Sequence, residues 1–258
     1  MLVFIVISAF AILVCLALFF RKPQRKAIMA PHLKETYRKL LQQEILFYRN
    51  LKDEEKKRFV ERVCAFLTRT TIEGVGTEID DKDRVLVAAS AIIPIFNFGN
   101  WEYRNLTNVI LYRDTFNDEF QYEGKNRSVL GMVGSGFMNG QMVLSKLALH
   151  HGFKPGGVQN TAIHEFVHLL DKADGSIDGI PELLLSNSYT IPWIKAMEQE
   201  IRRIQKGKSD IDPYALTNEA EFFAVISEYF FEKPKEFKDK HPELFSIVDT
   251  MFNPQHLD

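Results

Sequence analysis

The sequence predicts an α+β fold with a single N-terminal transmembrane helix, and three observations support this prediction. The first twenty of the 258 residues carry no charge and are almost all apolar. Short runs typical of strands fall between residues 71 and 146. Apolar residues at helical spacing dominate the chain from residue 160 onward. Strands that precede a run of helices are typical of an α+β domain.

The N-terminal segment has the length of a membrane span. Residues 1–20 match the roughly 20 apolar residues that cross a bilayer core. A basic cluster follows directly: Arg21, Lys22, Arg25 and Lys26. Positive charge on this side predicts that the rest of the chain faces the cytoplasm. A cleaved signal peptide is the alternative, but no basic residue precedes the apolar run.

We therefore expect three regions. These are a transmembrane anchor at 1–20, a basic juxtamembrane linker at 21–31 and one main domain at 32–258. The expected localisation is a membrane-anchored, single-pass protein whose main domain faces the cytoplasm.

The main domain begins with two amphipathic helices, at 32–50 and 53–70. A strand at 71–79 and a buried helix at 84–96 should follow. Further strands are expected at 108–113, 128–137 and 141–146. The remaining helices are expected around residue 164, at 193–205, from Pro213 onward and at Pro242–Phe252.

Composition excludes several classes of protein. The net charge of −2 argues against a nucleic-acid binder. The two cysteines, Cys15 and Cys64, make a disulfide framework improbable and favour a reducing compartment. A metal site built from cysteines is also excluded.

The most informative motif is His164-Glu165-Phe166-Val167-His168. Residues four apart share one face of a helix, so both imidazoles can bind one ion with Glu165 beside them. Two histidines on one helix leave room for a third protein ligand and an open position, which is typical of catalytic zinc. A zinc ion activates water and polarises a scissile carbonyl, and Glu165 would act as general base. Chance would produce this spacing in roughly one such chain in a hundred, so the functional interpretation is preferred.

Two residues are candidates for the third zinc ligand. Asp174 lies ten residues after His164, but the sharp turn that this geometry needs calls for glycine where this chain has Asp171. Glu221 lies near a helix start, from which a carboxylate could face the histidines. Glu221 is the stronger candidate.

These residues resemble a known family. The resemblance rests on His164 to Asp171, on the Asp174-Gly175 and Asp178-Gly179 turns with Pro181, and on the segment from Tyr214 to Phe223. They are similar to the Mlc titration factor A family of zinc-dependent peptidases, which have a zincin-like metallopeptidase domain. The run from Asn218 to Ala224 is also similar to the catalytic domain of anthrax lethal factor.

The resemblance implies a role for each matching position. It implies that His164, His168 and Glu221 bind one catalytic Zn²⁺, that Glu165 is the general base and that Tyr214 assists catalysis. It also implies a peptide or protein substrate and a transcriptional regulator as a partner.

The position of Tyr214 fits this role. If a helix begins after Asp212-Pro213, Tyr214 and Glu221 are seven residues, or about two turns, apart on one side of it. A phenol with an ordinary pKa near 10 stays protonated and can hydrogen-bond a developing oxyanion.

Other polar residues near the motifs have less specific roles. Asp171, Asp174 and Asp178 are expected to shape turns, because the spacing of a calcium loop is absent. Glu219 and Glu228 are candidates to orient a ligand histidine. The strand at 141–146 is expected to pair with the backbone of a peptide substrate.

The sequence therefore predicts a zinc metallopeptidase with Glu165 and Tyr214 as catalytic residues, acting as an aminopeptidase or an endopeptidase. One alternative is a module that sequesters a transcriptional repressor or another partner, with weak or no hydrolysis. Another is a zinc hydrolase that acts on a non-peptide amide or ester.

Overall fold

The structure is a computed structural model of the 258-residue chain. It describes residues 29–253 except 118, 122–126, 135–137, 155–158, 183 and 186. The part of the chain that is described forms a mixed α/β arrangement of ten helices and one four-stranded sheet.

The helices are numbered in chain order. They are α1 (Pro31–Glu44), α2 (Leu46–Asn50), α3 (Asp53–Leu67), α4 (Asp81–Ile95), α5 (Lys146–Gly152), α6 (Thr161–Asp171), α7 (Asn187–Gln205), α8 (Glu219–Glu232), α9 (Pro234–Lys240) and α10 (Pro242–Phe252). Short 3-10 helices occupy Lys172–Asp174 and Pro213–Leu216.

The sheet contains β1 (Thr71–Val75), β2 (Asn108–Tyr112), β3 (Gly131–Val133) and β4 (Gln141–Ser145) in the order β1-β2-β4-β3. β1 pairs with β2 and β2 with β4 in parallel, whereas β3 pairs with β4 in antiparallel orientation. β1, α4 and β2 form a crossover unit, which is how parallel strands must be joined. The sheet is therefore mixed, and this corrects the expected α+β class, in which helices and strands are separate.

Helix α4 lies at the centre of the core. Twelve of its fifteen residues are buried, from Asp83 to Ile95, so apolar residues cover all of its sides. Helices α1, α3 and α6 contact it directly. A helix that is apolar all round belongs in the interior of a domain. Because α6 packs against α4, the buried core fixes the position of α6, which carries the two motif histidines.

The expected transmembrane helix is the main correction. Within the described residues, no helix is both long and apolar enough to cross a membrane. The longest of them, α7, carries five charged residues along its nineteen positions, and charge at the centre of a bilayer is costly. Residues 1–28, which include the expected anchor and most of the linker, lie outside the described residues. The expected membrane-anchored, cytoplasm-facing localisation depended on a transmembrane helix, so it is corrected for the same reason.

Three further elements differ from expectation. The helix expected at 32–50 is divided at Ile45, whose backbone is extended. The segment after Ser145 forms helix α5, where no helix was expected. The helix expected from Pro213 onward is a 3-10 turn followed by a separate helix, α8.

Candidate metal centre

Helix α6 brings His164 and His168 together. Asn160 caps the helix, because its side-chain oxygen accepts a hydrogen bond from the Ile163 amide at 3.2 Å. The cap fixes the start of the helix, and the four-residue spacing then places both imidazoles on one face. The two Nε2 atoms are 3.1 Å apart.

Helix α8 supplies a carboxylate to the same point. Asn218 caps α8 by accepting a hydrogen bond from the Glu221 amide at 2.9 Å. Glu221 therefore lies in the first turn, and its Oε2 is 2.8 Å from Nε2 of His164 and 3.4 Å from Nε2 of His168. Three donor atoms from two helices thus converge.

The spacing of these atoms fits a metal ion. The donor atoms of His164, His168 and Glu221 lie within 4.8 Å of one another. Two ligand atoms bound to one tetrahedral zinc ion at about 2.0–2.1 Å would lie about 3.3 Å apart. The observed separations of 2.8, 3.1 and 3.4 Å are close to this value. Two imidazoles and a carboxylate are also a donor set that suits zinc.

Asp174, the other candidate ligand, has a different role. Its Oδ1 accepts hydrogen bonds from the amide and the hydroxyl of Ser176, both at 3.1 Å. Its Oδ2 accepts one from the Glu182 amide at 3.1 Å. Asp174 therefore shapes a turn, as the sequence indicated for it.

Glu228 contacts the ring nitrogen of His164 that faces away from Glu221. It lies seven residues after Glu221 on α8, and its Oε1 is 2.7 Å from Nδ1 of His164. Its Oε2 accepts a hydrogen bond from the Asn160 amide at 2.6 Å. A carboxylate on the far nitrogen fixes the ring orientation of a ligand histidine. Glu219, the other carboxylate considered for this role, is exposed at the start of α8.

These contacts set the charges of the group. Burial alone would lower the pKa of His164, but its hydrogen bonds to Glu221 and Glu228 outweigh burial and raise the pKa to about 10. Burial would raise the pKa of Glu221, but hydrogen bonds to His164 and His168 lower it to about 2. The two carboxylates therefore favour the protonated form of His164, and the two histidines favour the ionised form of Glu221.

Glu165 lies beside this group and against strand β3. It is buried, and burial raises the pKa of its carboxyl. A Cβ atom on Gly131 would lie 2.7 Å from Cγ and 2.8 Å from Oε1 of Glu165. Strand β3 therefore leaves room for the Glu165 carboxylate only because residue 131 is glycine.

Tyr214 reaches the same site from the 3-10 turn. Asp212 caps this turn by accepting a hydrogen bond from the Tyr214 amide at 2.9 Å. The Tyr214 ring lies 6.0 Å from the His164 ring, measured between centroids. The expectation that Tyr214 and Glu221 share one helix is wrong, because Asn218 starts a new helix between them. Both nevertheless line the same cleft.

The cleft has a volume of about 900 Å³. Its walls come mainly from α6, the start of α8, the Tyr214 turn and residues 128–133. That stretch includes β3, the edge strand on this side of the sheet. The strand expected to pair with substrate, β4, is hydrogen-bonded to β2 on one side and to β3 on the other. The expectation for β4 is therefore wrong, and the strand at the sheet edge on the cleft side is β3.

Sequence reasoning missed two contributors to the site. Gly131 gave no signal, because its role depends on a contact with a residue 34 positions later. The contact of Asn160 with Glu228 gave no signal either, because the Asn160 backbone amide donates to a residue 68 positions later.

Comparison with known proteins finds relatives over most of the chain. An uncharacterized protein of Synechocystis is 27% identical over 236 residues, which cover 85% of this chain and 82% of that relative. Mlc titration factor A of Cronobacter sakazakii is 28% identical over 209 residues, covering 76% of this chain and 77% of the relative. The same protein of Escherichia fergusonii is 29% identical over 213 residues, covering 76% and 78%.

A family model described as glucose-regulated metallo-peptidase M90 matches residues 19–253. The resemblance to the Mlc titration factor A family is thereby confirmed. The chain belongs to the M90 family of glucose-regulated metallopeptidases.

Proposed function

We propose that this chain is a zinc-dependent peptidase that hydrolyses peptide bonds, with Glu165 as general base. The observation that carries the proposal is the convergence of His164, His168 and Glu221 within 4.8 Å in an open cleft, with Glu165 beside them. Bound zinc would supply a Lewis acid that polarises the scissile carbonyl and acidifies water.

Glu165 is placed to move protons. It lines the cleft, and no hydrogen bond between described residues ties up its carboxylate. Burial raises its pKa, so the carboxylate is a better proton acceptor than an exposed glutamate. It takes a proton from the attacking water and passes it to the leaving amine.

Tyr214 stabilises the developing negative charge. Burial, followed by the nearby carboxylates Glu221 and Glu165, raises the pKa of its phenol. The hydroxyl therefore remains protonated at neutral pH and can donate a hydrogen bond to an oxyanion. The side chain is 51% exposed, which leaves it room to move onto a bound substrate.

Strand β3 provides a surface for an extended peptide. It is the sheet's edge on the cleft side, and residues 131–133 line the cleft. A substrate strand that pairs with β3 would pass beside Glu165. Backbone pairing of this kind favours a peptide over another amide or ester.

Zinc content and peptide cleavage, measured on the same full-length samples, test the proposal. Wild type should contain about one zinc per chain and cleave members of a peptide panel. Glu221→Ala should lose both zinc and activity. Glu219→Ala, an exposed carboxylate two residues earlier on α8, is the matched control and should retain both.

Two outcomes would contradict parts of the proposal. A folded wild type that contains no zinc would contradict the proposed metal centre. Loss of zinc in Asp174→Ala together with full zinc in Glu221→Ala would show that the third ligand is wrong.

Binding of a regulator is the second candidate function. Several relatives are named Mlc titration factor A, and a transcriptional regulator is the corresponding class of partner for this chain. Glu165→Gln separates the two functions, because it should abolish cleavage and leave binding of a regulator unchanged. Loss of binding in this variant would tie the partner to the catalytic site.

A further inference from the structure

Two polar atoms on α6 are buried without a hydrogen-bond partner among the described residues. They are Nδ1 of His168 and Oδ1 of Asp171. The two residues are three apart, so they are neighbours on one face of the helix. A buried polar atom without a partner costs about 1–3 kcal/mol, and two such atoms side by side are unusual. One is a donor when Nε2 of the imidazole binds a metal, and the other is an acceptor.

His164, the other motif histidine, has a carboxylate on its Nδ1, whereas Nδ1 of His168 has none. Nδ1 of His164 is 2.7 Å from a Glu228 oxygen, while its Nε2 faces the metal position. His168 presents its Nε2 to the same position, 3.1 Å from that of His164. The far nitrogen of His168 therefore needs an equivalent acceptor, and Asp171 is the adjacent carboxylate with a free oxygen.

The second oxygen of Asp171 connects α6 with α8. Oδ2 accepts a hydrogen bond from the Gly179 amide at 2.9 Å. Gly179 has a φ of +72° and packs so closely on α8 that a Cβ atom would lie 2.1 Å from the Glu219 carbonyl oxygen. The carbonyl of Gly179 accepts a hydrogen bond from Nε1 of the buried Trp193 at 2.7 Å. This loop residue is therefore held from both sides against the start of α8.

We propose that Asp171 is a positioning residue of the metal centre. Its Oδ1 is the acceptor that the Nδ1–H of a zinc-bound His168 would use, a hydrogen bond that is not formed in this structure. Its Oδ2 holds Gly179 against Glu219, two residues before Glu221. One carboxylate thus sets the position of the second and third metal ligands relative to each other. The inference rests on the metal centre of the proposed function, and it gives Asp171 a role beyond the turn expected from sequence.

Zinc affinity of the full chain, measured by competition with a chromophoric chelator, tests this role. Asp171→Ala should weaken zinc binding about 10- to 100-fold, as loss of an orienting group does. Asp171→Asn keeps one carbonyl oxygen and can serve only one of the two donors, so its affinity should lie between those of Asp171→Ala and wild type. The absorption spectrum of bound Co²⁺ should change in Asp171→Ala, because the ligand geometry changes.

Glycine variants test the link from Asp171 through Gly179 to the start of α8. Gly179→Ala should weaken zinc binding, because its methyl group would displace the Glu219 carbonyl. Gly175→Ala is the matched control in the same loop, since Gly175 also has a positive φ, +111°, but nothing lies within 4 Å of its Cβ position. The control should bind zinc with wild-type affinity.

Several results would overturn the inference. A folded Asp171→Ala that binds zinc within about twofold of wild type, with an unchanged Co²⁺ spectrum, would leave Asp171 a structural residue only. Equal effects of Gly179→Ala and Gly175→Ala on zinc affinity would show that the contact of Gly179 with α8 does not position Glu221. If Asp171→Ala fails to fold, Asp171→Asn and Gly179→Ala decide the question. Zinc binding without peptide cleavage by wild type would contradict the proposed function and leave this test intact.

Discussion

Glu165 lines the cleft, and its carboxylate makes no hydrogen bond to a described residue. Its neighbour His164 is held on both ring nitrogens, by Glu221 and by Glu228. The metal centre therefore does not depend on Glu165 for its geometry, which allows the chemistry of Glu165 to be tested separately.

The first prediction concerns this separation. Glu165→Gln should retain zinc and lower kcat about 10²- to 10⁴-fold, because general-base catalysis is lost while the ligands stay in place. Elemental analysis and peptide hydrolysis on the same samples check it. If the variant loses zinc in proportion to activity, Glu165 has a structural role at the metal centre instead.

The second prediction concerns Tyr214. Tyr214→Phe should lower kcat about 100-fold, the lower end of the effect of removing one oxyanion donor. The KM and the zinc content should stay within about twofold of wild type, because the ring remains and no metal ligand changes. A variant with a higher KM and an unchanged kcat would place Tyr214 in substrate binding rather than in catalysis.

At the level of elements, strand β3 limits the space around the general base. Gly131 does not have a positive φ, so its backbone tolerates alanine. The three atoms nearest to an added methyl group belong to the side chains of Glu165 and Thr161, at distances of 2.7–2.9 Å.

The third prediction follows from this contact. Gly131→Ala should displace the Glu165 carboxylate and lower kcat/KM about 10- to 100-fold, since a displacement of about 1 Å can cost that much. Zinc content and the circular dichroism spectrum should not change. Unchanged kinetics would mean that β3 yields and that the glycine is not needed for catalysis.

A second element-level feature is a charged cluster that holds the loop before the Tyr214 turn. His241, which precedes α10, is buried between two carboxylates: its Nε2 is 2.7 Å from Asp210 and its Nδ1 is 3.3 Å from Glu200. The other side chains that face the cluster are Arg203, Tyr229 and Lys240. Burial would lower the pKa of His241, but the two carboxylates outweigh burial and raise it.

The fourth prediction is the pH dependence of this cluster. A raised pKa in the folded state means that the stabilisation is complete below the ordinary histidine pKa of about 6.5 and is lost as pH rises through the folded-state value. The free energy of unfolding of wild type should therefore exceed that of His241→Gln by about 1.5–3 kcal/mol near pH 6. The difference should shrink toward pH 9. Urea denaturation at several pH values measures it, and a constant difference would show that His241 is neutral in the fold.

Elements with their own local signals could be predicted from sequence. Pro242–Phe252 begins with proline at its first position and matches helix α10 at both ends. Asn218 and Glu221 carried a helix-start signal as well, but it was read as part of a longer helix from Pro213. Helix α5 also begins with a capping residue, because the Ser145 hydroxyl accepts a hydrogen bond from the Ala148 amide. That serine lies in the run predicted as a strand, so the start of a helix was missed. The helix is also held by a long-range contact, between its His150 and Asp83, a buried residue 67 positions earlier. Contacts of that range cannot be read from periodicity.

The convergence of His164, His168 and Glu221 was predictable only in part from local patterns. His164 and His168 share one helix, so their spacing alone brings them together. Glu221 belongs to a second helix, and its proximity to them depends on the packing of α6 against α8. The resemblance to a family, rather than a local pattern, made that prediction specific. The place of β3 at the edge of the sheet depends on strand order, which no local pattern reveals.

At the scale of the whole molecule, the two ligand-bearing helices bring several carboxylates into one buried place. Glu165 and Glu228 are buried, and Glu221 is largely so. Buried carboxylates need compensating charge. A divalent ion bound by His164, His168 and Glu221 would supply two positive charges at this place.

The fifth prediction is that zinc stabilises the folded chain as a whole. A ligand that binds only the folded state stabilises it by about 2.7 kcal/mol at a free concentration one hundred times the Kd. For a domain of this size, that corresponds to a rise in Tm of about 5–10 °C. A chelator should therefore lower the Tm of wild type by that amount and leave His164→Ala unchanged, as differential scanning calorimetry would measure. A zinc-loaded wild type whose Tm does not respond to removal of the ion would mean that packing between α6 and α8 alone compensates the carboxylates, and that zinc serves chemistry without serving the fold.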